Sequence, residues 1–519
     1  MSRPFDEARY RVLLEGLEVS EISLSVLENG ATIGAEYYAP EFLRPYNQLA
    51  QSRLPLQPLK QICALLTDGD HGSAEYADEG VPFVLSEAVN EGWINRSACR
   101  SITAEHAASL PRSTLVEGDV LVSKTGVYFG KSAVVPKELA GANTIAHVGV
   151  LRLKASHDPY FVSTFLNSRY GYTQLRRRGI KATRPEIKLI EFADVCVPTV
   201  SRALSQKIRE VIVLADKVRA RGGACIAAAE LALLAGLGLD KRRPDDPLAC
   251  TSTSRNAFDA GRLDAEYFAP RVSDLLQRLR RDGSTIGGVA PPRHERFVPG
   301  SEGKFQYIEI GGVGADGTAR AETVMQDEAP SRATWRVRSG DVITSMVRPV
   351  RRLSALVPPA QDGCVCSSGF VVLQPVAITT EVLLTYLRLP PICELMDLHT
   401  SASLYPAISE ADLLALPVPR IDATTQAAVA AAVRTAQASR LRAATLLGAA
   451  KRAVEIAIED SERSALALAG RCAAPALSPK GRPPTGARIP LSTKRWHTPV
   501  WGARSVPEQA PWDIPKSAS

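Results

Sequence analysis

Asp68, Asp70 and His71 stand within the four-residue stretch "DGDH". Two carboxylates beside an imidazole are residue types that hold a metal or relay a proton. A working site of either kind draws on further ligands, and no second cluster of such residues stands nearby in the sequence. Aspartates in a Gly-rich loop more often bond their own backbone in a turn, so the stretch reads as a turn, with no metal. A second candidate is "GVYFGKS" at 126–132, which imitates a phosphate-binding loop. Such a loop needs four residues between its glycines, and that spacing puts Thr125 where the first glycine belongs. The stretch reads instead as a strand–turn–strand hairpin, whose Lys124, Thr125, Tyr128 and Lys131 would offer donors to a nucleic acid. An adenine methyltransferase would carry Asn or Asp before Pro-Pro and an aromatic residue. The Pro-Pro pairs here follow Ala290, Val357, Leu389 and Arg482. No Gly-rich cofactor loop opens a helix, and no grouping of acids and lysines resembles a nuclease. No catalytic residue is assigned, and no cofactor is expected on this chain.

Charge is the next kind of chemistry. The chain carries a formal +7, but residues 471–519 hold eight Lys or Arg against Glu508 and Asp513. That segment also has nine Pro and three of the five Trp. It reads as a basic, Pro-rich, disordered tail, and the rest of the chain is nearly neutral. Local patches therefore decide. Arg176, Arg177, Arg178, Lys181 and Arg184 fall in "RRRGIKATR" with no acid among them. Arg348, Arg351 and Arg352 follow a predicted strand, and Arg332, Arg336 and Arg338 precede it. Clustered guanidinium groups suit phosphate oxygens and guanine edges; the alternative is a solvated basic face.

The elements that must position these residues occur twice. "AEYYAP" at 35–40 returns as "AEYFAP" at 265–270. "EGDVLVSKTG" at 117–126 returns as "SGDVITSMVR" at 339–348, and "FADVCVPTVSRALSQKI" at 192–208 faces "LLALPVPRIDATTQAAV" at 413–429. Three landmarks in the same order, at a slowly drifting offset, mark a diverged duplication. Each copy begins with short β-branched runs bounded by Gly and Pro, which predict strands. Each ends in a long helical pattern. The first starts near Ser201, a candidate N-cap, and repeats apolar residues at Leu204, Ile208, Val211, Ala215 and Val218. The second starts near Asp422 and continues through Ala443, Leu447, Ala450, Val454 and Ala457. Its Ala-rich face suits close packing on another helix; the alternative is a helix laid on its own globule. Gly222 and Gly223 interrupt the first pattern. The basic run of the first copy aligns with "LMDLHTSASLYPAIS", which has no Lys or Arg. Two globules alike in plan and unlike in surface suit two readers of different sequences.

These strings together resemble the specificity subunit of type I restriction–modification enzymes. They are "DGDHGSAEYADEGVPFV" (68–84), "GDVLVSKTGVYFGKSAVV" (119–135 with its preceding Gly), the two AEY motifs, "GDVITSMVRPVRR" (340–352) and "SSGFVVLQP" (367–375). The resemblance spans roughly residues 35–460. It implies an α+β fold: two mixed α/β target-recognition globules in tandem pseudo-repeat, each followed by a long helix, the two helices packing as an antiparallel coiled coil. The expected divisions are a leading segment 1–34, recognition domain 35–199, spacer helix 200–247, recognition domain 248–420, spacer helix 421–469 and tail 470–519. It further implies a non-catalytic subunit that reads a bipartite site in double-stranded DNA. The implied partners are adenine methyltransferase subunits, two of them, with motor–nuclease subunits in some complexes; the partner, not this chain, uses S-adenosylmethionine. A specificity-like subunit of another methylation-based phage-defence system is a variant of the same reading, and a coiled-coil scaffold that binds only protein is the alternative outside it. There is no 18-residue apolar run and no apolar leader, and the nine Cys lack zinc spacing. These features lead to the expectation of a cytoplasmic protein with reduced thiols and no membrane association.

Overall fold

The computed structural model describes residues 6–17, 19–20, 22, 34–179, 185–241, 247, 249–314, 316–401 and 405–473. Lys181, Arg184 and the basic tail beyond 473 lie outside them. The chain divides into two compact units, residues 1–213 with 446–519, and residues 214–445. The division falls inside both long helices.

In the first unit, the segment before the first AEY motif contains the short helix α1 (Glu7–Leu13), and α2 (Pro40–Ala50) follows that motif. The central sheet has the order β1 (Cys63–Asp68), then Val148–Leu153, Val120–Ser123 and Ser132–Val134. In chain order these last three are β2 (Val120–Ser123), β3 (Ser132–Val134) and β4 (Val148–Leu153). All neighbours in it are antiparallel. A second four-stranded sheet contains one parallel pair, Phe83 beside Asn143 and Val84 beside Thr144. Side chains from both sheets, among them Val84, Leu121, Ala133 and Val150, share one buried cluster. Helix α3 (Arg169–Gly179) closes the unit on the side of α2.

Helix α4 (Arg202–Gly236) follows without interruption. Its first turn is capped by Ser201, whose hydroxyl accepts the Leu204 amide at 3.3 Å. Gly222 does not break it. The residue is buried against the other long helix, where a β-carbon would stand 3.2 Å from both the Ala436 carbonyl oxygen and Ser439 Cβ. The glycine read as a weak point is a point of close approach between the two helices. Gly223, one residue on, faces open space.

The second unit repeats the plan. After α5 (Pro270–Leu279), a three-stranded sheet has β5 (Val342–Ser345) between β6 (Ser354–Leu356) and β7 (Phe370–Leu373). A four-stranded sheet again contains a parallel pair, Tyr307 beside Val365 and Ile308 beside Cys366. The registers coincide: Val120 pairs with Leu151 and Val134, and Val342, 222 residues later, pairs with Leu373 and Leu356. Helix α6 (Pro390–Leu398) takes the place of α3.

Helix α7 (Ala423–Glu459) starts at Asp422, whose carboxylate accepts the Thr425 amide at 2.9 Å. Within the second unit it runs antiparallel to α4, since Gly222 meets Ala436 while Gly236 meets Thr425. The two helices also share that unit's core. Ala229 and Leu233 of α4 and Val429 and Val433 of α7 lie in one cluster with Leu383, Leu387 and Leu395. Both sequence-level alternatives, helix on helix and helix on globule, hold at once. Beyond Glu459 the helix stops and α8 (Glu462–Ala473) begins, with Ser461 as its cap.

Candidate nucleic-acid interface

Each unit presents a hairpin whose geometry is set by one Gly-Asp turn. Gly118 and Gly340 precede it in the left-handed region, at φ 91° and 92°, which a side chain would strain. The following aspartates are buried. Asp119 accepts the Val116 amide at 2.9 Å and Arg152 through two nitrogens at 2.9 and 2.8 Å. Asp341 accepts the Arg338 amide at 2.8 Å and Arg293 at 2.8 and 3.1 Å. A buried carboxylate without a partner is strongly unfavourable, and a forked guanidinium meets it with two charge-assisted bonds. Beyond the strands, the first hairpin turns through residues 124–131 and the second through 346–353, the same length. A later segment clamps both turns: the Pro185 carbonyl accepts Gly126 N–H at 3.1 Å, and the Pro406 carbonyl accepts Arg348 N–H at 2.8 Å.

The structure sorts the residues expected at DNA. Lys124 is not a free donor; it is buried, with Nζ 2.6 Å from Asp68 and 3.1 Å from the Ala146 carbonyl. Burial pushes the Asp68 carboxyl up, but hydrogen bonds from Lys124 and His71 outweigh it, and the group is held below its ordinary range. Arg112 approaches the same carboxylate at 3.5 Å. Asp70 accepts Gly72 N–H at 2.9 Å, the expected turn, and its other oxygen lies 3.1 Å from His106. Thr125 is buried as well. Tyr128 and Lys131 are half-buried at the turn, with the ammonium 4.9 Å from the ring centre.

The basic run is likewise split. Arg176 is exposed. Arg177 is buried in a cage of tyrosines, 4.1, 5.2 and 5.3 Å from the ring centres of Tyr37, Tyr38 and Tyr46, and donates to the Tyr37 carbonyl at 2.9 Å. Arg178 is buried and donates to the Gln174 carbonyl at 3.4 Å. These two arginines hold the first AEY motif and α3 rather than facing solvent. In the second unit Arg351 is exposed. Arg348 is half-buried with its guanidinium 5.3 Å above the Tyr405 ring, and Arg352 pairs with Glu230 of α4. Tyr405 was missed in the sequence. Its only signal was the position before Pro406, equivalent to Arg184 before Pro185.

Along the helices, Leu204, Ile208, Val211 and Ala215 are buried and Val218 is half-buried; Ala450, Val454 and Ala457 are buried. Leu447 is half-buried against Gly92 of the first globule, and its neighbour Leu446 is the buried residue. Among the described residues, no group of three His, Cys, Asp or Glu is placed to hold a metal, and no helix is long and apolar enough to cross a membrane.

No protein-family model and no curated protein matches the chain. Solved structures do show similarity. One is a chain from the structural work on complex assembly and conformational transition of the type I R-M system, at 18% identity and TM-score 0.26, covering 81% of this chain and 98% of that one. Another is the HsdS subunit from Thermoanaerobacter tengcongensis, at 17% identity and TM-score 0.25, covering 80% and 96%. A third is the type I restriction–modification S subunit from M. genitalium, at 13% identity and TM-score 0.36, covering 79% and 96%.

Proposed function

We propose that this chain is a DNA-recognition subunit without chemistry of its own, reading a two-part site in duplex DNA and recruiting adenine-N6 methyltransferase subunits to it. One observation carries the reading. The chain builds the same scaffold twice, down to strand register, hairpin length and the buried Gly-Asp turn, and gives the two hairpin tips unlike side chains. Keeping a scaffold while varying its tip suits recognition of two different half-sites. Exposed arginines such as Arg176 and Arg351 hold phosphates and fix register, while residues at the tips read base edges. The methyltransferase flips the target adenine out of the stack, supplies S-adenosylmethionine and transfers the methyl group. A motor–nuclease partner would add cleavage without changing this chain's role.

Comparing the methylated motifs of the host genome with and without this gene tests the proposal. The expected result is loss of one motif made of two short half-sites separated by a fixed gap. An unchanged set of methylated motifs, together with no binding of duplex DNA by the purified chain, would leave the protein-binding scaffold as the better reading.

A further inference from the structure

Three non-glycine residues among the described ones have backbones in the left-handed region: Asp282, Arg348 and Arg352. Two of the three lie in one hairpin turn. The matching positions of the first hairpin, 222 residues earlier, are Gly126 and Gly130, at φ 67° and 79°. The turn therefore demands left-handed backbone at both places, and the second unit meets that demand with arginine where the first uses glycine. Side chains in this region are strained, and strain of this kind persists where the side chain does something a glycine cannot.

The two arginines do different things. Arg352 has a structural partner in Glu230, and its carbonyl accepts Arg388 at 2.7 Å, so it ties the turn to α4 and to the C-terminal cap of the helix Thr380–Leu387. Arg348 has no carboxylate partner among the described residues. Its guanidinium lies over the ring of Tyr405, which is 64% exposed, beside Val350, which is 56% exposed, and the solvent-facing Arg351. A guanidinium over an aromatic face spends none of the N–H donors of its forked edge on the ring. That edge matches the O6 and N7 acceptors of guanine in the major groove.

We infer that Arg348, braced by Tyr405, is the residue through which the second unit selects a guanine, with Arg351 on the neighbouring phosphate and Arg352 serving as a strut. This rests on the DNA-recognition reading above. The ligand is duplex DNA presenting a guanine at one fixed position of the second half-site.

The test uses the full-length chain and a randomised duplex library, with sequencing of the selected pool. The wild type should enrich a motif containing that guanine. Arg348→Ala should keep the rest of the motif and lose the guanine preference by roughly ten- to a hundred-fold. Arg348→Gly should do the same while melting no lower than the wild type, because glycine relieves the left-handed backbone. Replacing the selected guanine with 7-deazaguanine, which lacks the N7 acceptor, should weaken the wild type and leave Arg348→Ala unaffected. An undiminished guanine preference in Arg348→Ala overturns the inference and leaves DNA recognition standing. So does a lowered melting temperature in Arg348→Gly, which would make Arg348 a structural residue. If the wild type enriches no motif at all, the DNA-recognition reading itself falls.

Discussion

The two hairpins keep their acceptors and change their donors. Asp119 and Asp341 occupy the same place in the same turn, yet Arg152 reaches the first from β4, and Arg293 reaches the second from the segment replacing β1. The repeated tyrosine behaves alike: Arg177 of α3 covers Tyr37 at 4.1 Å, while Arg262, just upstream of the motif, covers Tyr267 at 4.6 Å. What the fold requires is a cation at a given point in space. Any neighbouring strand can deliver it, because a long, flexible side chain reaches across a sheet. Acceptor positions are therefore the conserved part of the duplication, and donors drift.

This comparison makes its largest prediction for the buried aspartates. Arg152→Ala and Arg293→Ala should each destabilise by roughly 3–5 kcal/mol, by leaving a buried carboxylate with little beyond one backbone amide. The two losses, measured by denaturant unfolding, should be of like size. In the second unit, Gln374 follows Leu373 as Arg152 follows Leu151, and it is exposed. Adding Gln374→Arg to Arg293→Ala should recover more than half of the lost stability. Failure of that rescue would show that the donor's strand matters after all.

A somewhat smaller effect is expected where the units truly differ. Lys124 of the first hairpin corresponds to Met346 of the second. Lys124→Met should destabilise by about 3 kcal/mol, near the low end for a broken buried pair, since His71 at 3.0 Å and Arg112 at 3.5 Å still face Asp68. Asp68→Asn added to Lys124→Met should restore most of it. The pH dependence has a definite sign. The folded-state carboxyl is held below its ordinary value, so the pair's contribution is complete at neutral pH and is lost as pH falls through the lowered value. Wild type and Lys124→Met should therefore converge in acid. A gap that persists there would mean that Lys124 acts through packing.

The turn glycines come next. Gly130→Ala should cost about 1–2 kcal/mol from left-handed backbone alone, and a β-carbon there would also stand 2.9 Å from the Tyr172 ring. Thermal unfolding of that variant measures what the second turn tolerates at Arg352. No loss would mean the two turns are less alike than their φ angles indicate.

Much of this architecture was legible in the sequence, for reasons that also explain what was not. Strand and helix signals are local. "GDVLVS", "HVGVLRL", "GDVITSM" and "GFVVLQP" each contain a strand, and Ser201 and Asp422 both cap helices. The duplication was visible because order survives divergence. Side-chain destinations were not. Lys124 is neutralised by a residue 56 positions away, and Arg177 is caged by tyrosines far upstream, with Tyr37 140 positions earlier, so neither contact leaves a local trace. Gly222 looked like a helix breaker because its partner, Ala436, is remote in sequence.

The smallest expected effect lies on the basic run, and there the structure narrows a broad expectation to one residue. Of Arg176, Arg177 and Arg178, Arg176 alone is exposed. Arg177→Ala should empty the tyrosine cage and destabilise the first unit, weakening DNA binding only through loss of folded protein. Arg176→Ala should leave stability within about 0.5 kcal/mol. If Arg176 contacts a phosphate, its loss should reduce the salt dependence of binding by about 0.9 in slope, equally for every DNA sequence. The corresponding stretch of the second unit has no Lys or Arg, so no single substitution there should shift the slope. Titrating binding of the full chain to duplex DNA across a salt series measures both. An unchanged slope in Arg176→Ala would make the run an internal tie with one solvated member, and would leave phosphate contacts to the hairpin tips.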